Sequence, residues 1–156
     1  MFGHTPKKLL IPFALLTGLT LAAAGLAWAE EVMVGSLRNV SGSAQIIRGG
    51  QTMPARNNQQ LMLSDVLRTG PDGSLGIILR DDSVVSLGPD SELALEEFEF
   101  SPVENKLGMV TRMTRGTASF LTGQIGQMRP AAVRVETPNA TIATRGTHFL
   151  VQVAGQ

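Results

Sequence analysis

The chain has no cysteine, no tyrosine, one tryptophan and two histidines among its 156 residues. Without cysteine it cannot form disulfides, carry a cysteine-linked lipid or use a thiolate nucleophile, so an exported form must be stable without covalent cross-links. Charged residues make up 17% of the chain, below the roughly 25% of an average globular protein. The formal net charge is zero, which argues against nucleic-acid binding because such proteins carry a basic excess.

The N-terminus has the pattern of an export signal. Two lysines precede an uncharged and largely apolar stretch, Leu9–Leu26, and small residues follow at Ala27 and Ala29, where a signal peptidase cleaves. We therefore expect a signal peptide at 1–29, cleaved after Ala29, and a single periplasmic or secreted domain at 30–156. The alternative is an uncleaved segment that anchors the chain in the inner membrane, since about 18 residues can span a bilayer. In that case this segment is the only expected contact with the membrane.

The remainder of the sequence predicts an all-β fold, because short runs of branched and aromatic residues alternate with turn residues. The predicted strands are 43–48, 74–79, 84–87, 93–100, 118–121, 133–137 and 147–153. No helical stripe is present, and we expect 59–67 to form a loop or short helical turn. The alternation slips at Glu96 and Glu97, which predicts a bulge or a strand break.

The last predicted strand has a clear period of two. One face carries Thr147, Phe149, Val151 and Val153, and the other carries His148, Leu150 and Gln152. Only three residues follow this strand, so it is expected to leave an open edge. Open edges invite pairing, and we therefore expect weak self-association or a partner strand there.

The central third of the chain contains a repeat. Asp72, Asp81 and Asp90 are spaced nine residues apart, and the Gly-Pro-Asp sequence at 70–72 recurs at 88–90. Each unit is a polar turn followed by a short strand, which suits either a β-solenoid or a meander of short hairpins. Calcium at the turn aspartates is disfavoured because calcium-binding solenoids repeat a denser Gly-Asp pattern.

Charge is distributed unevenly along the sequence. The segment 65–104 has ten acidic residues against Arg68 and Arg80, whereas the residues from Lys106 onward have six basic residues against Glu136. The favoured interpretation is that the two segments lie side by side and neutralise each other. The alternative is a polarised surface that faces a partner.

Several segments together resemble the FecR domain family of exported bacterial proteins. They are 42–44, 68–79, 82–88 and, most specifically, the closing Thr-Pro and Arg-Gly-Thr-x-Phe elements within 136–149. Two turn positions depart from the family pattern, at Ser64 and at Asp82, where glycine is usual. The resemblance implies an all-β periplasmic module that contacts other proteins or the envelope, without catalytic residues. Signalling members have a cytoplasmic anti-sigma segment before a membrane helix, and the eight residues before the apolar run here do not match it.

The residues of the closing family motif are Thr137, Pro138, Arg145, Gly146, Thr147 and Phe149. We interpret them as structural. Residues 137–139 are expected to form a loop between strands, because proline is excluded from a central strand. The Arg-Gly-Thr triplet is expected to be a turn whose glycine has a special φ and whose arginine pairs with a carboxylate. A recognition role for the arginine is the alternative.

The candidate catalytic residues are few. His148 is the only histidine after the signal segment, and a serine triad would need a carboxylate behind it. No serine lies in a Gly-x-Ser-x-Gly context. Glu97 and Glu99 share a strand face and could mimic a glycosidase pair, but a solvated face is the favoured interpretation. We therefore expect no enzyme activity, no cofactor and no metal.

The sequence thus predicts a non-catalytic binding or scaffold module of the bacterial cell envelope. Its expected partner is an envelope protein or a cell-wall polymer, contacted through a β-sheet face or edge. The alternative is an accessory component of iron-uptake-type transmembrane signalling that has no anti-sigma segment of its own.

Overall fold

The computed structural model describes Gly3, residues 31–143 and residues 145–155. The predicted signal peptide and its cleavage site therefore lie outside the described residues, apart from Gly3. Over these ranges the chain is mostly β, in a twelve-stranded sheet that curls into a half-barrel. No helix within the described ranges is long and apolar enough to cross a membrane.

The strands, in chain order, are β1 Met33–Ser41, β2 Ala44–Arg48, β3 Gln51–Pro54, β4 Gln60–Met62, β5 Val66–Thr69, β6 Ser74–Leu79, β7 Val84–Leu87, β8 Glu92–Ser101, β9 Lys106–Leu121, β10 Val133–Thr137, β11 Ala140–Ala143 and β12 His148–Val153. A one-turn helix, α1, covers Gln124–Met128, and a 3₁₀ turn covers Pro130–Ala132. The predicted bounds of β6, β7 and β10 coincide with those observed, whereas β9 is much longer than the predicted 118–121.

The all-β prediction is confirmed. The main strand order is β3-β2-β5-β8-β9-β7-β6-β1-β4, with β12 and the β10–β11 hairpin along the other side of β9. Within the described ranges all strand pairs are antiparallel except β9–β10. Hairpins such as β6–β7 replace the stacked parallel coils of a β-solenoid. The order also departs from a simple meander, because β5 lies between β2 and β8.

The sheet has two halves. One half contains β1, β4, β6, β7, β12 and the last part of β9, and the other contains β2, β3, β5, β8, β10, β11 and the first part of β9. Long strand paths bend as they pass from one half to the other. The first part of β9 pairs with β8 and its last part pairs with β7, and the bend between them is at Gly116, which has a φ of +88°. The path from β5 to β6 bends at 70–73, and the path from β7 to β8 bends at 88–91. The two Gly-Pro-Asp sequences are therefore corners of neighbouring strand paths, and they fall at corresponding places along those paths.

Hydrogen bonds join these corners to one another. The N–H of Gly70 donates to the carbonyl of Ser43 at 2.8 Å, and the N–H of Asp90 donates to the carbonyl of Gly70 at 3.0 Å. The N–H of Thr117 donates to Ser91 Oγ at 2.9 Å. Because backbone groups at a bend leave the sheet ladder, such contacts are needed to satisfy them.

The core fills the space that the curled sheet encloses. Its largest fully buried side chains include Phe120, Leu37, Ile77 and Met113. Phe149 of β12 stacks on Phe120, with ring centroids 4.9 Å apart. The predicted shared face of β12 is confirmed for Phe149, Val151 and Val153, which are buried or partly buried against the core. Thr147, also assigned to this face, lies before β12 and is exposed.

Two local predictions meet different outcomes. The bulge in β8 is confirmed, because the pairing with β9 shifts between Leu95 and Glu97. The prediction of a loop or helical turn over 59–67 is wrong for Gln60–Met62, which forms β4 and pairs with β1. Backbone pairing with β1 determines this segment, and a three-residue strand is too short to show a period.

The helix α1 was not foreseen from the sequence. Asp81 holds its start, because the Asp81 carbonyl accepts the N–H of Gln124 at 2.7 Å and its carboxylate accepts the N–H of Ile125 at 3.3 Å. Ile125 is fully buried. The helix is held by Asp81, which is far away in the sequence, and a single turn is too short to show a helical period.

Candidate functional site

The outer surface of one half of the sheet exposes apolar side chains from four neighbouring strands. Ile78 of β6 pairs with Val84 of β7, and Val84 pairs with Leu121 of β9. On β12, Leu150 pairs with Ser119 of β9. Directly paired residues point to the same side of a sheet. We call Ile78, Val84, Leu121 and Leu150 the apolar face.

The apolar face is accessible and is bordered by two charged residues. Arg38 of β1 pairs with Gly76 of β6, and Asp82 lines a surface pocket together with Leu121. The exposed fractions are 38% for Ile78, 49% for Leu121 and 65% for Leu150. The other outward positions of β6, β7, β9 and β12 in this half are Ser74, Gly76, Ser86, Thr117, Ser119, His148 and Gln152, none of which is acidic, lysine or arginine. Exposed apolar patches rimmed by polar residues are typical of protein interaction sites.

The other half of the sheet has a charged outer surface. Arg112 of β9 contacts Glu96 of β8 at 3.2 Å and Glu136 of β10 at 2.9 Å, and Arg134 of β10 lies 3.9 Å from Glu97 of β8. The acidic segment and the basic segment thus lie side by side and pair with each other. This is the favoured interpretation of the uneven charge distribution, and the polarised alternative is not needed to explain it.

The strand β12 has one free edge in the described part of the chain. The N–H of Thr122 donates to the carbonyl of Thr147 at 2.8 Å, and in an antiparallel pair the bonded residues alternate. Phe149 and Val151 therefore bond to β9, while the backbone groups of Leu150 and Gln152 point away from it. These groups are available to an added strand.

A groove runs beside this edge. Its volume is about 520 Å³. It is lined on one side by residues 150–155 and on the other by Ile142 and the turn 137–140 of the β10–β11 hairpin. None of these residues is charged. The groove leaves space for an extended peptide segment next to the unpaired backbone of β12.

The family model described as FecR protein matches residues 65–156. The chain belongs to the FecR family. The match extends from Asp65, just before β5, through β12. No curated protein and no solved structure shows significant similarity to the chain.

This family is involved in iron-uptake-type transmembrane signalling, and its members are associated with the cell envelope. The match over residues 65–156 confirms the predicted assignment to the FecR domain family. The strands β1–β4 lie before the matched segment but belong to the same sheet, since β1 pairs with β6 and β2 pairs with β5.

Part of the FecR motif shapes the turn of the β10–β11 hairpin. Thr137 Oγ1 accepts the N–H of Ala140 at 3.1 Å and donates to its carbonyl at 3.0 Å. Pro138 is exposed within this turn. The predicted loop between strands is thus a tight hairpin turn, closed by the side chain of Thr137.

The remaining motif residues precede or begin β12. The carbonyl oxygen of Thr147 accepts the N–H of Thr122, and Phe149 packs on Phe120. Gly146 has no positive φ, so the special backbone conformation expected for it is wrong. Arg145 is exposed and forms no ion pair with the described carboxylates. The structural interpretation of the motif as a whole stays a prediction.

The candidate catalytic groups do not form a complete set. His148 Nε2 lies 2.9 Å from Ser119 Oγ, which is a hydrogen bond between a possible base and a possible nucleophile. Among the described residues no carboxylate is hydrogen-bonded to the other ring nitrogen. Glu97 and Glu99 are exposed. Within the described ranges no cluster of histidine, aspartate and glutamate is arranged to hold a metal ion.

Sequence reasoning missed the apolar face, because its members come from four strands whose register is visible only in the fold. It also missed a cluster of charged side chains on the outer surface of the charged half of the sheet. The cluster is formed by Arg68, Glu92 and Arg115. The sequence signal for this cluster is weak. Each residue lies within two positions of a bend: Arg68 of the bend at 70–73, Glu92 of the bend at 88–91, and Arg115 of Gly116.

Proposed function

We propose that this FecR-family chain is an exported, non-catalytic binding module of the bacterial cell envelope, and that it contacts a protein partner through the apolar face and the free edge of β12. The observation that carries the proposal is the exposure of Leu121 and Leu150 on a sheet surface that continues to an open edge. Strand addition at such an edge gains main-chain hydrogen bonds, and neighbouring side chains supply specificity.

A protein partner fits this surface better than a cell-wall polymer does. Burial of apolar side chains contributes about 25 cal/mol for each Å² removed from water, and a polar polysaccharide offers less apolar area to cover them. The cell-wall polymer remains an outcome of the test. The non-catalytic part of the proposal is supported by the exposed, incomplete arrangement around His148.

Family membership favours a second function, that of an accessory component of iron-uptake-type transmembrane signalling. In this function the chain would bind a membrane receptor or sensor. The two functions use the same surface and differ in the identity of the partner.

The test is affinity capture from native envelope extract with the tagged full chain, in parallel with binding to purified cell-wall sacculi. A matched pair of variants replaces an exposed apolar residue by glutamate: Leu150→Glu on the apolar face and Val103→Glu in the β8–β9 turn. We expect one defined envelope protein to be retained by the wild type and by Val103→Glu, and lost with Leu150→Glu. A membrane receptor among the retained proteins supports the signalling function.

Retention on sacculi alone contradicts the choice of a protein partner. Equal retention of the same protein by both variants contradicts the location of the binding surface. Circular dichroism and thermal unfolding of each variant establish that a loss of binding is not a loss of folding.

A further inference from the structure

Three charged side chains form a row on the outer surface of the charged half of the sheet. Arg68 of β5 pairs directly with Glu92 of β8, and Glu92 pairs directly with Arg115 of β9. Paired residues on one side of a sheet have β-carbons about 5 Å apart. Two guanidinium groups therefore flank one carboxylate across three adjacent strands.

A bulge in β9 adds a fourth group. The register between β8 and β9 shifts between Glu92 and Leu93, which pair with Arg115 and Met113. Thr114 is the extra residue, and both Thr114 and Arg115 are exposed on the outer surface. Bulges re-aim side chains and are frequent next to binding sites.

Both carboxylate oxygens of Glu92 already accept hydrogen bonds from neighbouring side chains. Arg68 Nε donates to Oε2 at 2.8 Å, and Thr114 Oγ1 donates to Oε1 at 3.0 Å. Burial raises the pKa of Glu92, but these hydrogen bonds and the charges of Arg68 and Arg115 lower it by more, so the pKa lies below its ordinary value. Glu92 is therefore ionised at neutral pH and acts as a fixed anchor for Arg68.

Donors remain for a ligand. Arg68 engages Glu92 through Nε, which leaves its terminal nitrogens. Arg115 makes no hydrogen bond or ion pair through its side chain with the described residues. Guanidinium groups present planar pairs of N–H donors that match the two oxygens of a carboxylate.

These groups line a shallow cavity of about 520 Å³ that is open to solvent; its lining residues are Arg68, Glu92, Thr114, Arg115 and Pro138. The hairpin turn that Thr137 closes brings Pro138 to this cavity, where its ring offers an apolar wall. Two arginines and one ionised glutamate give the cavity a formal charge of plus one. A single carboxylate neutralises this charge, whereas a doubly charged phosphate would leave an excess of negative charge beside Glu92.

We propose that this cavity, the arginine pocket, binds the carboxylate of an extended peptide. The carboxylate lies between the guanidinium groups of Arg68 and Arg115, and the adjoining residue of the peptide packs on Pro138. The charged groups of this site belong to β5, β8 and β9 and take no part in the apolar face, whereas Pro138 also lines the groove beside the free edge of β12.

The test is isothermal titration of the full chain with N-acetyl-alanyl-alanine, with its C-terminal amide and with inorganic phosphate. We expect the free carboxylate to bind about tenfold or more tightly than the amide, because a hydrogen bond to a charged group contributes about 1.5–3 kcal/mol. Phosphate is expected to bind more weakly than the peptide. Arg115→Gln should lower the affinity about tenfold, and Arg115→Lys should restore part of it.

Arg56→Gln is the matched control, since it removes the same charge from an exposed arginine outside the pocket. It should leave the affinity unchanged. Equal affinity for acid and amide, no effect of Arg115→Gln, or tighter binding of phosphate would each overturn the proposal. Leu121→Glu alters the apolar face at a residue that lines neither the arginine pocket nor the groove that contains Pro138. It should not alter peptide binding, so failure at the apolar face and failure at the arginine pocket are distinguishable.

Discussion

Gly116 lies so close to Ser91 that a β-carbon at position 116 would be 2.2 Å from Ser91 Oγ and 2.4 Å from Ser91 Cα. Gly116 also has a φ of +88°, a conformation that other residues adopt only with strain. The same glycine marks the bend at which β9 leaves β8 and joins β7. Contact between these two residues therefore packs β9 closely against the corner between β7 and β8, at the point where β9 changes its partner strand.

Replacement of Gly116 by alanine is expected to lower the free energy of unfolding by more than about 2 kcal/mol, since a strained φ alone costs about 1–3 kcal/mol and the backbone of Ser91 must also shift. Gly49→Ala is the matched control. Gly49 has a φ of +55° but nothing within 4 Å of its β-carbon position, so its replacement adds φ strain only. Urea denaturation measures both values. Equal losses for the two variants would contradict the steric contact with Ser91.

The buried carboxylate of Asp65 accepts two hydrogen bonds from Arg48, Nε to Oδ1 at 2.8 Å and a terminal nitrogen to Oδ2 at 2.7 Å. It also accepts the N–H of Met62, and this environment raises the pKa of the Arg48 guanidinium. Asp65→Ala should cost about 3 kcal/mol, the lower end for breaking a buried pair, because Arg48 keeps some contact with water.

Glu104→Ala is the control for Asp65→Ala, since its pair with Lys106 is exposed on both sides. An exposed pair of this kind contributes little, about 0–1 kcal/mol. Denaturation of both variants at neutral pH gives the comparison. If Asp65→Ala lowered the free energy of unfolding no more than Glu104→Ala does, the buried pair would not stabilise the contacts among β2, β4 and β5.

The lowered pKa of Glu92 has a consequence for acid stability. Its ordinary value is 4.5. A group whose pKa falls on folding contributes stability above its unfolded-state pKa, and this contribution is lost as the pH drops through the lower folded-state pKa. The stability difference between the wild type and Glu92→Gln should therefore be constant near neutral pH and shrink below about pH 4.5. A difference that does not change with pH would contradict the ionic role of Glu92.

The free edge of β12 is expected to support weak self-association. The backbone N–H of Gln152 points away from β9, so Gln152→Pro removes an outward donor without breaking the ladder to β9. Light scattering over a concentration series should show the average mass rising for the wild type and staying monomeric for Gln152→Pro. A strictly monomeric wild type at high concentration would count against pairing at this edge.

Individual strands could be predicted where the sequence is locally consistent. The strands β6, β7 and β10 are short runs of branched and aliphatic residues between turn residues, and their bounds were predicted correctly. The first part of β9 was missed because residues 107–111 are all buried and show no alternation, and because the bulge at Thr114 and Gly116 interrupt the pattern that follows. A period of two is recognisable only while the register is unbroken.

The surfaces could not be predicted, because they depend on which strands become neighbours. Leu121 and Leu150 are far apart in sequence and share a surface only because β12 pairs with β9. Arg68 and Arg115 are likewise brought together by the position of Glu92 between them. The repeated Gly-Pro-Asp sequences were correctly identified as turns, but their role as neighbouring corners required the strand order.

Site-specific photo-crosslinking in the intact envelope tests the central proposal most directly. A photoreactive residue is placed at Leu150, on the apolar face, or at Val103, a fully exposed residue in the β8–β9 turn. We expect one covalent adduct of defined mass from position 150 and none from position 103. No adduct at position 150, or the same adducts from both positions, would contradict the proposal that the apolar face binds a protein partner.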